Sequence, residues 1–186
     1  MAVIINASTS TGLVQSADTS GIIQFQSNGS TKATLNSSGF SYPGAVLQVV
    51  QAFYSTETSI SSTSFTDSGL TASITPTSSS SKILIIASVM ADSVQASNVV
   101  NLSKSRLVKG ATQLAIFEMY FGAGTSSNGY IYYPMPHTLT YLDSPATTSS
   151  TTYKVQGNLN STSSSAGLRY QINSSSSTMT LLEIAA

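Results

Sequence analysis

Ser78-Ser79-Ser80-Ser81-Lys82-Ile83-Leu84-Ile85-Ile86 sets a hydroxyl-rich tract directly against a run of branched apolar residues. Val46-Leu47-Gln48-Val49-Val50 is a second such run, and Ser/Thr tracts separate the runs along the chain. Short apolar runs rich in β-branched residues and bounded by turn formers read as buried strands. Ser and Thr close the intervening turns through side-chain to backbone hydrogen bonds. No stretch holds apolar residues at i, i+3, i+4 and i+7 better than it holds an alternation, so the pattern is all-β.

Working outward, candidate strands fall at 45–54, 58–62, 70–74, 82–91, 98–108, 112–121, 129–141, 152–159, 167–173 and 178–184. That number of strands with Ser, Gly and Pro punctuation predicts an antiparallel β-sandwich or jelly roll over residues 44–186. Val108-Lys109-Gly110-Ala111 reads as a hairpin between two long strands, and Asp67-Ser68-Gly69 as an ordinary turn. Residues 1–43 have a different rhythm of short apolar pairs between small polar residues, with the hairpin signal Asn28-Gly29. Tyr42-Pro43-Gly44 makes a natural junction. The first region is too short for a core of its own and reads as an extended N-terminal arm or stem. Its anchoring residues are Ile4, Ile5, Leu13, Val14, Ile22, Ile23 and Phe25.

Composition narrows the function. Only 8% of the 186 residues are charged, 40% are hydrophobic, and Ser and Thr make up about a third of the chain. An ordinary domain carries about 25% charge. A rigid surface of hydroxyls suits an exterior structural protein better than an enzyme. Seven basic and seven acidic residues cancel, and Lys104, Arg106 and Lys109 are too few for a nucleic-acid footprint. No segment reaches the ~18 apolar residues of a membrane helix. The start Met1-Ala2-Val3-Ile4-Ile5-Asn6 lacks the cationic region of a signal peptide, so assembly in a cytoplasm is expected. There is no cysteine, so neither disulfides nor thiolate chemistry are available.

The chemical motifs are sparse. Asp67-Ser68-Gly69 matches one half of an aspartic-protease loop, but its approximate copy Asp18-Thr19-Ser20-Gly21 has a residue too many. The single His137 has no Asp or Cys cluster around it for zinc, and no Gly-x-Ser-x-Gly elbow exists for a serine nucleophile. No metal, cofactor or catalytic set is expected. Tyr130, Tyr132, Tyr133 and Tyr141 gather around His137, a composition fit for a subunit interface or for stacking on a glycan. Glu118 and Glu183 interrupt apolar strands, where an unpaired carboxylate is costly. Arg169 and Lys82 are their expected partners, with an intersubunit seam as the alternative.

Several segments together resemble a known family. They are Val46-Leu47-Gln48-Val49-Val50-Gln51, Phe65-Thr66-Asp67-Ser68-Gly69-Leu70, Ile74-Thr75-Pro76-Thr77, Leu142-Asp143-Ser144-Pro145, Thr152-Tyr153-Lys154-Val155-Gln156 and Thr178-Met179-Thr180-Leu181-Leu182-Glu183-Ile184. This succession resembles small virion structural proteins of tailed bacteriophages, many of them aquatic and cyanobacterial. Ser10-Thr11-Gly12-Leu13-Val14-Gln15-Ser16-Ala17-Asp18-Thr19-Ser20-Gly21 resembles the N-terminal segment of related phage proteins. The resemblance implies a jelly roll, homotrimeric, on the outside of a particle and without catalytic residues. It fits a capsid decoration or cement protein bound to a capsid protein through residues 1–43. The alternative is a tail-fibre tip, attached to a tail protein, that binds host cell-surface glycan.

Overall fold

The computed structural model describes residues 20–37, 39–95, 101–121, 131–160 and 167–186; for 93–95, 101–102, 119–121 and 131–135 it describes the backbone. The chain divides into two compact units, Met1–Pro43 and Gly44–Ala186.

In the first unit, β1 (Ile23–Ser27), β2 (Ser30–Asn36) and β3 (Gly39–Ser41) form an antiparallel meander. Asn28 and Gly29 both take positive φ, 51° and 74°, between the paired residues Ser27 and Ser30. That is the backbone a tight hairpin needs, and Asn-Gly supplies it with little strain.

The second unit contains β4 (Val46–Tyr54), β5 (Thr58–Ile60), β6 (Thr66–Ile74), β7 (Lys82–Gln95), β8 (Asn101–Lys109), β9 (Thr112–Phe121), β10 (Ile131–Asp143), β11 (Thr151–Leu159), β12 (Gly167–Tyr170) and β13 (Ser177–Ile184). The long strands pair β4 with β13, β6 with β11, β7 with β10 and β8 with β9, all antiparallel. Additional pairings, β13 with β7 and β11 with β8, complete the two sheets β4-β13-β7-β10 and β6-β11-β8-β9. Each half of one long ribbon thus pairs with the other half and the ribbon wraps over itself, which is jelly-roll winding. One edge of β7 is shared: β13 takes Lys82–Ser88 and β12, itself paired with β5, takes Ala91–Val94.

Burial follows the strand period of two. On β7 the buried apolar residues are Ile83, Ile85, Ala87, Val89 and Ala91, and they meet Leu70, Leu107, Leu139, Tyr153, Val155, Met179 and Leu181 between the sheets. Each such large apolar side chain contributes about 1.5–3 kcal/mol. Among the described residues the buried core lies in the second unit.

One local reading changes. Asp67-Ser68-Gly69 is not a turn between strands but an irregularity inside β6. The ladder with β11 jumps from Lys154↔Thr71 to Gln156↔Asp67, so Val155 faces Ser68, Gly69 and Leu70 together. Gly69 takes φ +89, and a Cβ there would run into the Tyr54 ring, so the position tolerates no side chain. The strand expected at 129–141 is found as β10, which carries Pro134 and Pro136 in mid-strand. Among the described residues β10 pairs only with β7, and an edge strand is where a sheet accepts proline.

Candidate functional site

The first unit has one apolar face. Cross-strand partners Ile23, Leu35 and Phe40 form a row, and Phe25 with Ala33 forms the next. The Phe25 and Phe40 rings meet edge to face at 5.7 Å, and Phe40 and Tyr42 lie 6.1 Å apart. Among the described residues of the unit nothing covers this cluster: Phe25 is 47% and Phe40 55% exposed, and Ile22, Leu35 and Tyr42 are exposed too. Three short strands alone cannot hide such a face. Of the seven anchoring residues, Ile22, Ile23 and Phe25 are in this region; Ile4, Ile5, Leu13 and Val14 lie outside the described residues. Phe40 and Tyr42 were not among the anchors read from sequence, although Phe40-Ser41-Tyr42 carries the alternation that marks them.

The tyrosine segment does not form a single exposed patch in its described part. Tyr141 is half-buried and packs against the core. His137 lies on the same inward face, opposite the buried Val89. Among the described residues neither ring nitrogen of His137 has a hydrogen-bond partner, and burial holds its pKa below the ordinary value. Tyr132 and Tyr133 stand in register with Val94 and Ser93, and Tyr130 lies outside the described residues.

The carboxylates find partners other than those expected. Glu118 is not buried: it is 56% exposed and pairs with Lys104 directly across the ladder at 3.0 Å. Among the described residues its strand, β9, pairs only with β8, and its apolar neighbours Ile116 and Phe117 are exposed as well. Glu183 is buried, yet neither Arg169 nor Lys82 reaches it. It accepts hydrogen bonds from Gln48 Nε2 at 2.6 Å and from the Thr77 amide and hydroxyl, each at 2.8 Å. Burial pushes its carboxyl up, but these donors, Gln48 first, outweigh burial and hold it below the usual carboxylate value. Gln48 also donates to the Thr75 carbonyl at 2.8 Å, so the network pins the connection from β6 to β7. Arg169 instead pairs with the buried Asp92 across the β7–β12 ladder and lies 3.9 Å from Glu57. Lys82 is exposed and makes no ion pair among the described residues.

One further cluster was missed by sequence reasoning. Asp143 accepts from Lys109 Nζ at 2.9 and 2.8 Å and from the Tyr153 hydroxyl at 2.8 Å. Burial first, then the Asp143 carboxylate, raises the Tyr153 phenol far above its ordinary value. The basic residues near residue 105 are likewise engaged: Arg106 donates twice to Gln156 Oε1 and lies 3.8 Å over the Phe65 ring. Asp67 accepts from Lys154 at 2.8 Å and Gln156 at 2.7 Å, which lowers its pKa. Among the described residues every acid thus has a cationic or hydrogen-bonding partner, and no group of three His, Asp or Glu is placed to hold a metal ion.

No protein-family model matches the chain, and no curated protein matches it. Among solved structures, the VP2 subviral particle of infectious bursal disease virus is similar at 12% identity and a TM-score of 0.36, over 88% of this chain and 42% of that one. The structure of the Gx strain of the same virus is similar at 13% identity and a TM-score of 0.34, over 88% and 43%. This chain spans less than half the length of those proteins.

Proposed function

We propose that this chain is a structural protein of a virion surface, a capsid decoration or cement protein of a tailed bacteriophage, with no catalytic step of its own. The first unit attaches to a capsid protein, and the jelly roll projects outward. The observation that carries this reading is the exposed apolar face of Ile22, Phe25, Leu35, Phe40 and Tyr42 among the described residues of the first unit, while the second unit has a buried core. An aromatic cluster of this kind offers a ready hydrophobic anchor. The resemblance of the sequence to small phage virion proteins supports the same reading, and so does the engagement of the described acids in structural contacts.

The test is a comparison of the full chain with residues 44–186 in co-sedimentation with phage particles. The full chain attaches; the shortened chain stays folded and remains in the supernatant. Attachment by the shortened chain overturns the proposal. A fibre tip that binds host glycan would instead bind cells through residues 44–186 and leave the capsid bare.

A further inference from the structure

The outer faces of the two sheets place their charge differently: one carries it along all four strands, the other at the β7–β12 end, where Asp92 pairs with Arg169. On the β6-β11-β8-β9 sheet, Lys104, Arg106, Lys154, Asp67 and Glu118 line the solvent side. On the opposite sheet, where β4, β13, β7 and β10 lie side by side, the outer rows are nearly free of charge. Val49, Leu182, Leu84 and Leu142 make one complete cross-strand row. Gln51, Thr180, Ile86 and Thr140 make the next, and Phe53, Thr178, Ser88 and Thr138 the third. Within the stretch of β7 from Lys82 to Ser88 and the outer rows it shares with β4, β13 and β10, only Lys82, at the corner beside Ile184 and Val46, is charged on this face among the described residues. Val49 is 59%, Phe53 63% and Leu142 51% exposed.

An antiparallel sheet with one wet face alternates apolar inward and polar outward. Here the row at Val49 is apolar on both faces, and exposed apolar patches of this kind mark contact sites. We propose that this uncharged half of the sheet is where a second copy of the chain packs, face to face. A face without charge offers nothing for an acidic or basic partner to complement, whereas it complements itself. Val, Leu and Ile meet their counterparts, Gln51 and the threonine hydroxyls can donate and accept in turn, and no like charges are brought together. The size is adequate. Seven residues at about 3.4 Å along four strands at about 4.8 Å give a face of roughly 24 by 19 Å. Two such faces with their side-chain relief remove on the order of 1,000 Å² from water, about what a specific contact needs. The contact stands apart from virion attachment, which is proposed for the other unit.

The test uses the full chain in solution. Because the chain has no cysteine, one introduced thiol reports one position. In Thr140→Cys, alkylation by a maleimide slows about tenfold or more as protein concentration rises through the association range, by mass action. In Ser73→Cys, on the charged sheet, the rate does not change. Sedimentation velocity shows an oligomer for the unsubstituted chain and a dissociation constant about a hundredfold weaker for Val49→Lys/Leu142→Lys, which sets like charges face to face. A monomer at every concentration overturns the proposal. So does an oligomer of any size in which Thr140→Cys reacts as fast at high concentration as at low. If the double lysine variant does not fold, the thiol protection alone decides.

Discussion

Asp143 and Glu183 stand in one cross-strand row of the sheet, on either side of Ile83. Gln48 extends the same row beyond Glu183. All three elements of the arrangement are inward-facing, so one end of the sandwich is closed by two carboxylates whose donors come from other strands and loops. Glu183 accepts from Thr77 while Gln48 donates to the Thr75 carbonyl, and Asp143 takes Lys109 and Tyr153 from the opposite sheet. The row therefore couples the two sheets where apolar packing gives out.

Glu183→Ala should cost about 2–4 kcal/mol, since it leaves Gln48 and Thr77 without their charged acceptor. The folded pKa of Glu183 lies below the unfolded value of about 4.3. Its contribution is present above that value and is lost as pH falls through the folded pKa, because the unfolded chain binds the proton first. Urea denaturation between pH 3 and 6 checks this (range set by the carboxylate values, roughly). A Glu183→Gln variant with an unchanged acid limb would contradict it.

Tyr153→Phe should cost about 1–2 kcal/mol by removing one donor to Asp143. The native phenol titrates above the unfolded value of about 10. Its share of stability is complete below pH ~10 and is lost above it, as the unfolded chain ionises first. The variant should lose stability less steeply on the alkaline side. Tyr170, pushed up to about 12 by burial against the effect of its Ser105 hydrogen bond, supplies the remaining slope.

Gly157→Ala should destabilise by about 1–3 kcal/mol through overpacking. A Cβ there would collide with the Tyr170 hydroxyl and lie 2.6 Å from Leu168 Cδ2. Tyr170→Phe removes the first clash but leaves Ser105 without its 2.6 Å partner. A double-mutant cycle in thermal denaturation should show non-additivity of about 0.5 kcal/mol or more; strict additivity would argue against contact.

His137 sets a gentler pH dependence. Burial lowers its folded pKa, so stability is complete above the unfolded value of about 6.5 and declines as pH falls below it. In His137→Gln the slope of unfolding free energy between pH ~7 and ~5 should flatten. An unchanged slope would place the titration elsewhere.

The strands were legible because their apolar runs and hydroxyl tracts are local signals. The runs around Val46, Ile83 and Leu181 each form a strand, and Asn28-Gly29 forms its hairpin. What local signals do not carry is which distant strand pairs with which. Glu183 was legible as a carboxylate in need of a partner, yet its donors sit on β4 and on the loop before β7, and only the winding of the ribbon brings them there. Glu118 misled because Ile116 and Phe117 suggest burial, whereas an edge strand leaves them open. Asp67-Ser68-Gly69 has turn composition, but Tyr54 packs where a side chain on Gly69 would go, and the segment stays in its sheet. The exposed partners Phe40 and Tyr42 became apparent only when the meander set them beside Phe25.

The most direct measurement is cryo-electron microscopy of the phage particle with this protein located by immunogold labelling. The account predicts density repeated over the capsid shell, with residues 1–43 against the shell and the jelly roll outward. Density confined to the tail or its fibres would contradict the decoration role, and a particle without the protein would contradict the virion role altogether.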